Sequence, residues 1–154
     1  MNPVSGSMES VTRVLDEDPG ADVTLELAGG AHCTLSRADP RLGVWRRMLA
    51  SAQGFGLPLY LERNAAGAVR VLLPVAARRV TALGPEAEGR VPVTLAASPA
   101  THFLSAARRD TVELRALLAH AAERREALLL AVEPGTLEIL AARRPPESLK
   151  LLVV

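Results

Sequence analysis

His32 and His102 are the residues of this sequence with most to offer chemically. Two imidazoles meeting across a symmetry axis can hold a transition metal, or present a proton donor and an acceptor to a small ligand. Their surroundings match. Val23-Thr24-Leu25 begins nine residues before the first histidine and Val93-Thr94-Leu95 nine before the second, while Leu35-Ser36 and Leu104-Ser105 follow. No Asp or Glu recurs at a fixed spacing beside either histidine, so three or four metal ligands are not assembled and no metal or other cofactor is expected. A ligand-binding reading remains, in which His32 and His102 line a groove between repeats with Arg78, Arg79, Arg143 and Arg144 as its further polar groups.

The remaining reactive residue types do not combine. Cys33 adjoins His32, but neighbours in a strand point to opposite faces, so a thiolate–imidazole pair fails on geometry and Cys33 belongs in the core with Leu25 and Leu27. Ser36 and Ser105 sit in no Gly-x-Ser-x-Gly elbow and read as strand-end or turn residues. His120 flanks the apolar stripe of a helix, a surface or boundary position. Gly54-Phe55-Gly56 lacks the Lys-Ser/Thr of a phosphate loop and reads as a helix stop. No catalytic residue is assigned, and the chain leans away from being an enzyme.

Arginine supplies 17 of the 18 basic residues, Lys150 the other, and five Arg pairs stand at 46–47, 78–79, 108–109, 124–125 and 143–144. Clustered guanidinium groups suit phosphate. The abundant Ala, Gly, Pro, Val and Leu point instead to GC-rich codon usage. With 17 acidic residues against those 18, and one Trp, one Tyr and two Phe for base stacking, nucleic acid is disfavoured as a partner.

The elements that would position these residues repeat along the chain. Trp45, Met48, Leu49 and Ala52 align with Leu114, Leu117, Leu118 and Ala121, Leu59-Tyr60-Leu61 with Leu128-Leu129-Leu130, and Ala76-Ala77-Arg78-Arg79 with Ala141-Ala142-Arg143-Arg144. Each copy reads as hairpin, helix, hairpin. In the first, Val23, Leu25 and Leu27 alternate as in a half-buried strand, a glycine turn leads into His32–Leu35, Asp39 caps a helix with Pro40 at its first position, and two strands meet across the turn at 64–67. Leu42, Trp45, Met48, Leu49 and Ala52 cover an arc of about 120° on that helix. In the second, Asp110 and Glu113 have capping-box spacing, and Ala127–Val132, Glu133-Pro134-Gly135 and Thr136–Leu140 form the closing hairpin. Leu149–Val154 adds a last short strand.

The expected fold is therefore α+β: two tandem ββαββ repeats related by a pseudo-twofold axis, mainly antiparallel sheet or barrel-like, with two main helices. Residues 1–22 form a loose N-terminal segment with a short helix at Ser10–Leu15 and a second possible start at Met8; 23–83 are the first repeat, 84–90 a linker loop and 91–154 the second. At 154 residues, 49% hydrophobic and net charge +1, the chain supports a real core and is no disordered tail or disulfide scaffold. Its clearest apolar run, Ala127–Val132, is strand-sized, well short of the roughly 18 residues of a membrane span. The first 22 residues lack signal-peptide character, so the cytoplasm is the expected compartment. By elimination, the expected function is a binding or protein-interaction module without catalysis, with a protein partner or self-association through sheet edges. A small-ligand site or enzyme between the repeats, and a nucleic-acid module, are the alternatives.

Overall fold

The computed structural model describes residues 5–146. The chain divides into two compact units between Val75 and Ala76. In the first unit, β1 (Ser5–Glu9), β2 (Val11–Leu15), β3 (Val23–Leu27) and β4 (His32–Leu35) precede helix α1 (Leu42–Phe55), followed by β5 (Leu59–Arg63) and β6 (Val69–Pro74). The second contains β7 (Ala76–Leu83), β8 (Arg90–Leu95), β9 (Thr101–Ser105), helix α2 (Thr111–Arg124), β10 (Ala127–Val132) and β11 (Ile139–Arg143). The fold is thus α+β with two helices among the described residues and mostly antiparallel sheets, ordered β1-β5-β6, β2-β3-β4 and β11-β10-β7-β8-β9.

The sheets do not close into a barrel. One isolated parallel bridge joins Thr34 of β4 to Ala68, just before β6, and another joins Phe103 of β9 to Glu138, just before β11. Each unit also holds more than hairpin, helix and hairpin. Residues 5–15, expected as loose chain with a short helix, form β1 and β2 instead. Strand β1 pairs antiparallel with β5 and β2 with β3, so this segment links two sheets through long-range pairings that local periodicity does not reveal. In the second unit β7 likewise carries two pairings, with β10 through Ala76–Arg79 and with β8 through Val80–Leu83, at the centre of the five-stranded sheet. The stretch at 80–83, read as the close of the first repeat, therefore belongs with the second unit. The strand expected at 149–154 lies outside the described residues.

Apolar periodicity places the helices. Leu42, Trp45, Leu49 and Ala52 of α1 are buried with Val23, Leu25, Leu27, Cys33 and Leu35 in one core. Leu114, Leu118 and Ala121 of α2 are buried with Val91, Val93, Leu95 and Leu104 in another. Helix α1 begins after Arg41, later than Asp39-Pro40 suggests. The Asp39 carboxylate is engaged elsewhere: it accepts from the Arg41 backbone N–H at 2.8 Å, from Nε at 3.0 Å and from Nη2 at 2.9 Å. Asp110 does precede α2, yet it caps no amide; its carboxylate accepts from Arg108 Nε at 3.0 Å, and the capping box with Glu113 is not made. At the far end of α1, Gly56 adopts φ +67°, the left-handed geometry glycine enters without steric cost, and its N–H closes the last turn. No helix among the described residues is long and apolar enough to cross a membrane.

Candidate functional site

The two histidines do not occupy equivalent places. In the β3–β4 hairpin His32 pairs with Glu26 and Cys33 with Leu25; in the β8–β9 hairpin His102 pairs with Val93. Counting inward from the facing pairs Val23–Leu35 and Val91–Leu104, His102 corresponds to Cys33, not to His32. That one-residue difference sends the rings to opposite faces. His32 is exposed, with Nε2 3.3 Å from Glu26 Oε1. His102 is 5% exposed, and its Nδ1 has no hydrogen-bond partner among the described residues.

Within the second unit, Arg78 stands beside His102. Burial, and then the positive charge of Arg78, hold the His102 imidazolium pKa below its usual value, against the opposing effect of the Ala100 backbone. Arg78 is paired with Leu128, so both lie on the face toward α2. Arg79 and Arg143, paired with Ala127 and Leu129, lie on the other face; Arg144 follows the strand and is exposed. The fold therefore brings His102 and Arg78 together and separates both from Arg79 and Arg143. Other arginines are engaged locally. Asp16 binds Arg37, and also Arg46 at 2.9 Å; Arg108 lies 3.0 Å from Asp110 and 3.6 Å from Glu138. The hydrogen bond from Arg37 is the main cause holding the Asp16 carboxyl below the usual range.

Cys33 is 1% exposed against Leu25, as the alternation of the strand requires, and burial pushes its thiol pKa up. Ser36 and Ser105 each accept a bond from the backbone amide two residues on, at 3.3 and 3.4 Å, and serve as turn residues. No group of three or more His, Cys, Asp or Glu residues among those described could hold a metal.

The candidate site lies in the first unit. A groove of about 330 Å³ runs along α1, walled by Val44, Met48 and Ala52 on the helix and by Leu57, Pro58 and Leu59 entering β5. Pro74 and Val75 at the end of β6 complete the apolar lining, with Arg47 and Ser51 as its polar residues. Gly56 creates the groove's shape: by ending α1 in a left-handed turn it sends Leu57-Pro58 back beside the last helical turns. Val44 is 45% exposed, and farther along the helix Phe55 is 66% exposed. Sequence periodicity assigns Met48, Leu57 and Leu59 to the core and so misses this groove; the available signal is Val44 and Phe55, apolar residues outside the buried stripe of α1.

Comparison of the chain with protein-family models, curated proteins and solved structures gave no match.

Proposed function

We propose that this protein is a binding module without catalysis, whose working surface is the α1 groove and whose partner is a protein. The observation that carries this reading is a contrast between the helices. Both bury a short stripe, Trp45, Leu49 and Ala52 in α1 and Leu114, Leu118 and Ala121 in α2. One residue before the first of these stands Val44 in α1 but Glu113 in α2; one before the last, Ser51 but His120; three after the last, Phe55 but Arg124. A helix on such a sheet thus tolerates polar residues along this flank. Apolar ones in α1 leave hydrocarbon in water with no return to the core, as partner-binding patches do. The polar lining residues are a hydroxyl and a guanidinium, suited to orienting a bound group.

An internal duplication belongs to the same reading. It is supported by a segment in each unit that links two pairings, β1 and β2 in the first and β7 in the second, by the single parallel bridge in each, and by helices of 14 residues each. Within that reading the two copies differ along this flank, α1 carrying Val44 and Phe55 where α2 carries Glu113 and Arg124.

The probe 1-anilinonaphthalene-8-sulfonate, an apolar ring system with one negative charge, tests the groove. Its emission should rise with the native protein and fall to background with Val44→Asp. It should persist with Val112→Asp, which removes an exposed valine of α2 (78% exposed) that is not one of the groove's lining residues. Equal emission from all three proteins, or none from the native one, would remove the groove as the binding surface.

A further inference from the structure

We infer that the α1 groove takes an apolar peptide segment carrying an acidic residue beside its apolar anchors. This rests on the binding reading above and adds the chemistry of the partner. Length favours a peptide over a small molecule: from Val44 to Phe55 the apolar flank runs along eleven residues of helix, about 16 Å at the α-helical rise. That is the reach of three turns of a partner helix laying its own apolar stripe on the flank. The lining of the groove supplies hydrophobic contact from both sides, with Met48 able to adjust to the side chain it meets.

Charge complementarity supplies the acid. Arg47 is the charged residue of the lining, exposed at its rim, and makes no ion pair among the described residues. Its neighbours differ: Arg46 meets Asp16 and Arg41 meets Asp39. A docked apolar segment would displace water around the Arg47 guanidinium. A carboxylate placed there would gain in two ways, from bidentate hydrogen bonding and from reduced screening. It would also fix the direction in which the segment lies.

Panning a random dodecapeptide display library against the full chain, and separately against Arg47→Glu, tests the inference. Against the native protein the enriched sequences should pair apolar residues at i, i+3/i+4 and i+7 with an Asp or Glu. The best synthetic peptide should bind the native chain at least about tenfold more tightly than Val44→Asp and about fivefold more tightly than Arg47→Glu. The Arg47→Glu selection should favour Lys or Arg in place of the acid. Val44 is an exposed side chain, and far-ultraviolet circular dichroism checks each variant's fold; Val44→Ser serves if the aspartate disturbs it. Peptides without an acidic bias, or indifferent to Arg47→Glu, would overturn the charge inference while leaving the groove as a binding surface. Peptides that bind Val44→Asp as well as the native chain, or no enrichment at all, would overturn both. So would self-association abolished by Val44→Asp, which would make a second copy the occupant.

Discussion

Replacing His102 by leucine should make the protein more stable, and should do so increasingly as the pH falls. The ring is 5% exposed, on the same face as Val93 and Leu104, with Nδ1 buried and unpartnered. A buried polar atom that lost its water without gaining a partner costs about 1–3 kcal/mol. Leucine has a similar volume and leaves no such atom, and the corresponding position in the first unit already holds an apolar side chain, Cys33, at 1% exposure. The variant should therefore gain about 1–3 kcal/mol at neutral pH. The pH dependence has a definite sign. Burial first, and Arg78 second, lower the folded-state pKa of His102, so the unfolded chain binds the proton more readily. The native protein must then lose stability as pH falls through the unfolded histidine pKa, near 6.5, and the loss levels off only below the depressed folded value. Urea denaturation followed by circular dichroism between pH 8 and pH 5 reads both effects, and the gap between the proteins should widen toward acid. A variant less stable than the native chain, or a gap constant with pH, would refute the reasoning about His102.

Three further outcomes follow from local geometry. Arg125 ends α2 at φ +56°, where a side chain is strained and where α1 uses Gly56; Arg125→Gly should raise stability by about 1 kcal/mol, seen as a higher urea midpoint. A Cβ on Gly6 would collide with the hydroxyl oxygen of the buried Tyr60 and stand 2.8 Å from its Cζ, so Gly6→Ala should cost about 1–3 kcal/mol, and a neutral result would mean that the ring moves freely. Cys33, buried with its thiol pKa pushed up, should resist Ellman's reagent in buffer and react at once in urea; prompt native reaction would contradict the burial described.

How legible the molecule was depended on the range of the interactions involved. Much short-range chemistry could be read directly, though not the Asp39 cap or the Asp110–Glu113 capping box, whose aspartates instead bind arginines two residues away. Asn64–Gly67 turns as its residue types require, with Asn64 Oδ1 accepting from Ala66 and Ala68 at 2.9 and 3.0 Å, and Cys33 faces inward as strand alternation demands. The positions of Trp45, Leu49, Leu114 and Leu118 also follow from helical spacing. Long-range pairing could not be read. Ser5–Glu9 has little alternation of its own and becomes a strand because β5 offers it a partner some fifty residues away. The likeness of His32 to His102 rested on aligning Val23 with Val93, whereas the hairpin registers align Val23 with Val91. A slip of that kind, taken up in the turn, is enough to exchange an exposed ring for a buried one. The groove was hidden for another reason. Periodicity identifies which helix face is apolar, but it does not reveal that Leu57 and Pro58 fold back beside Met48 to leave space between them.

Methyl NMR of methionine tests the binding surface most directly, because the chain has three methionines and, among the described residues, only Met48 lines the groove. The enriched acidic peptide should shift the Met48 methyl resonance saturably and leave that of Met8 in β1 in place, and Val44→Asp should abolish the shift. A Met48 resonance that stays fixed while the peptide binds would contradict the assignment of the α1 groove as the working surface.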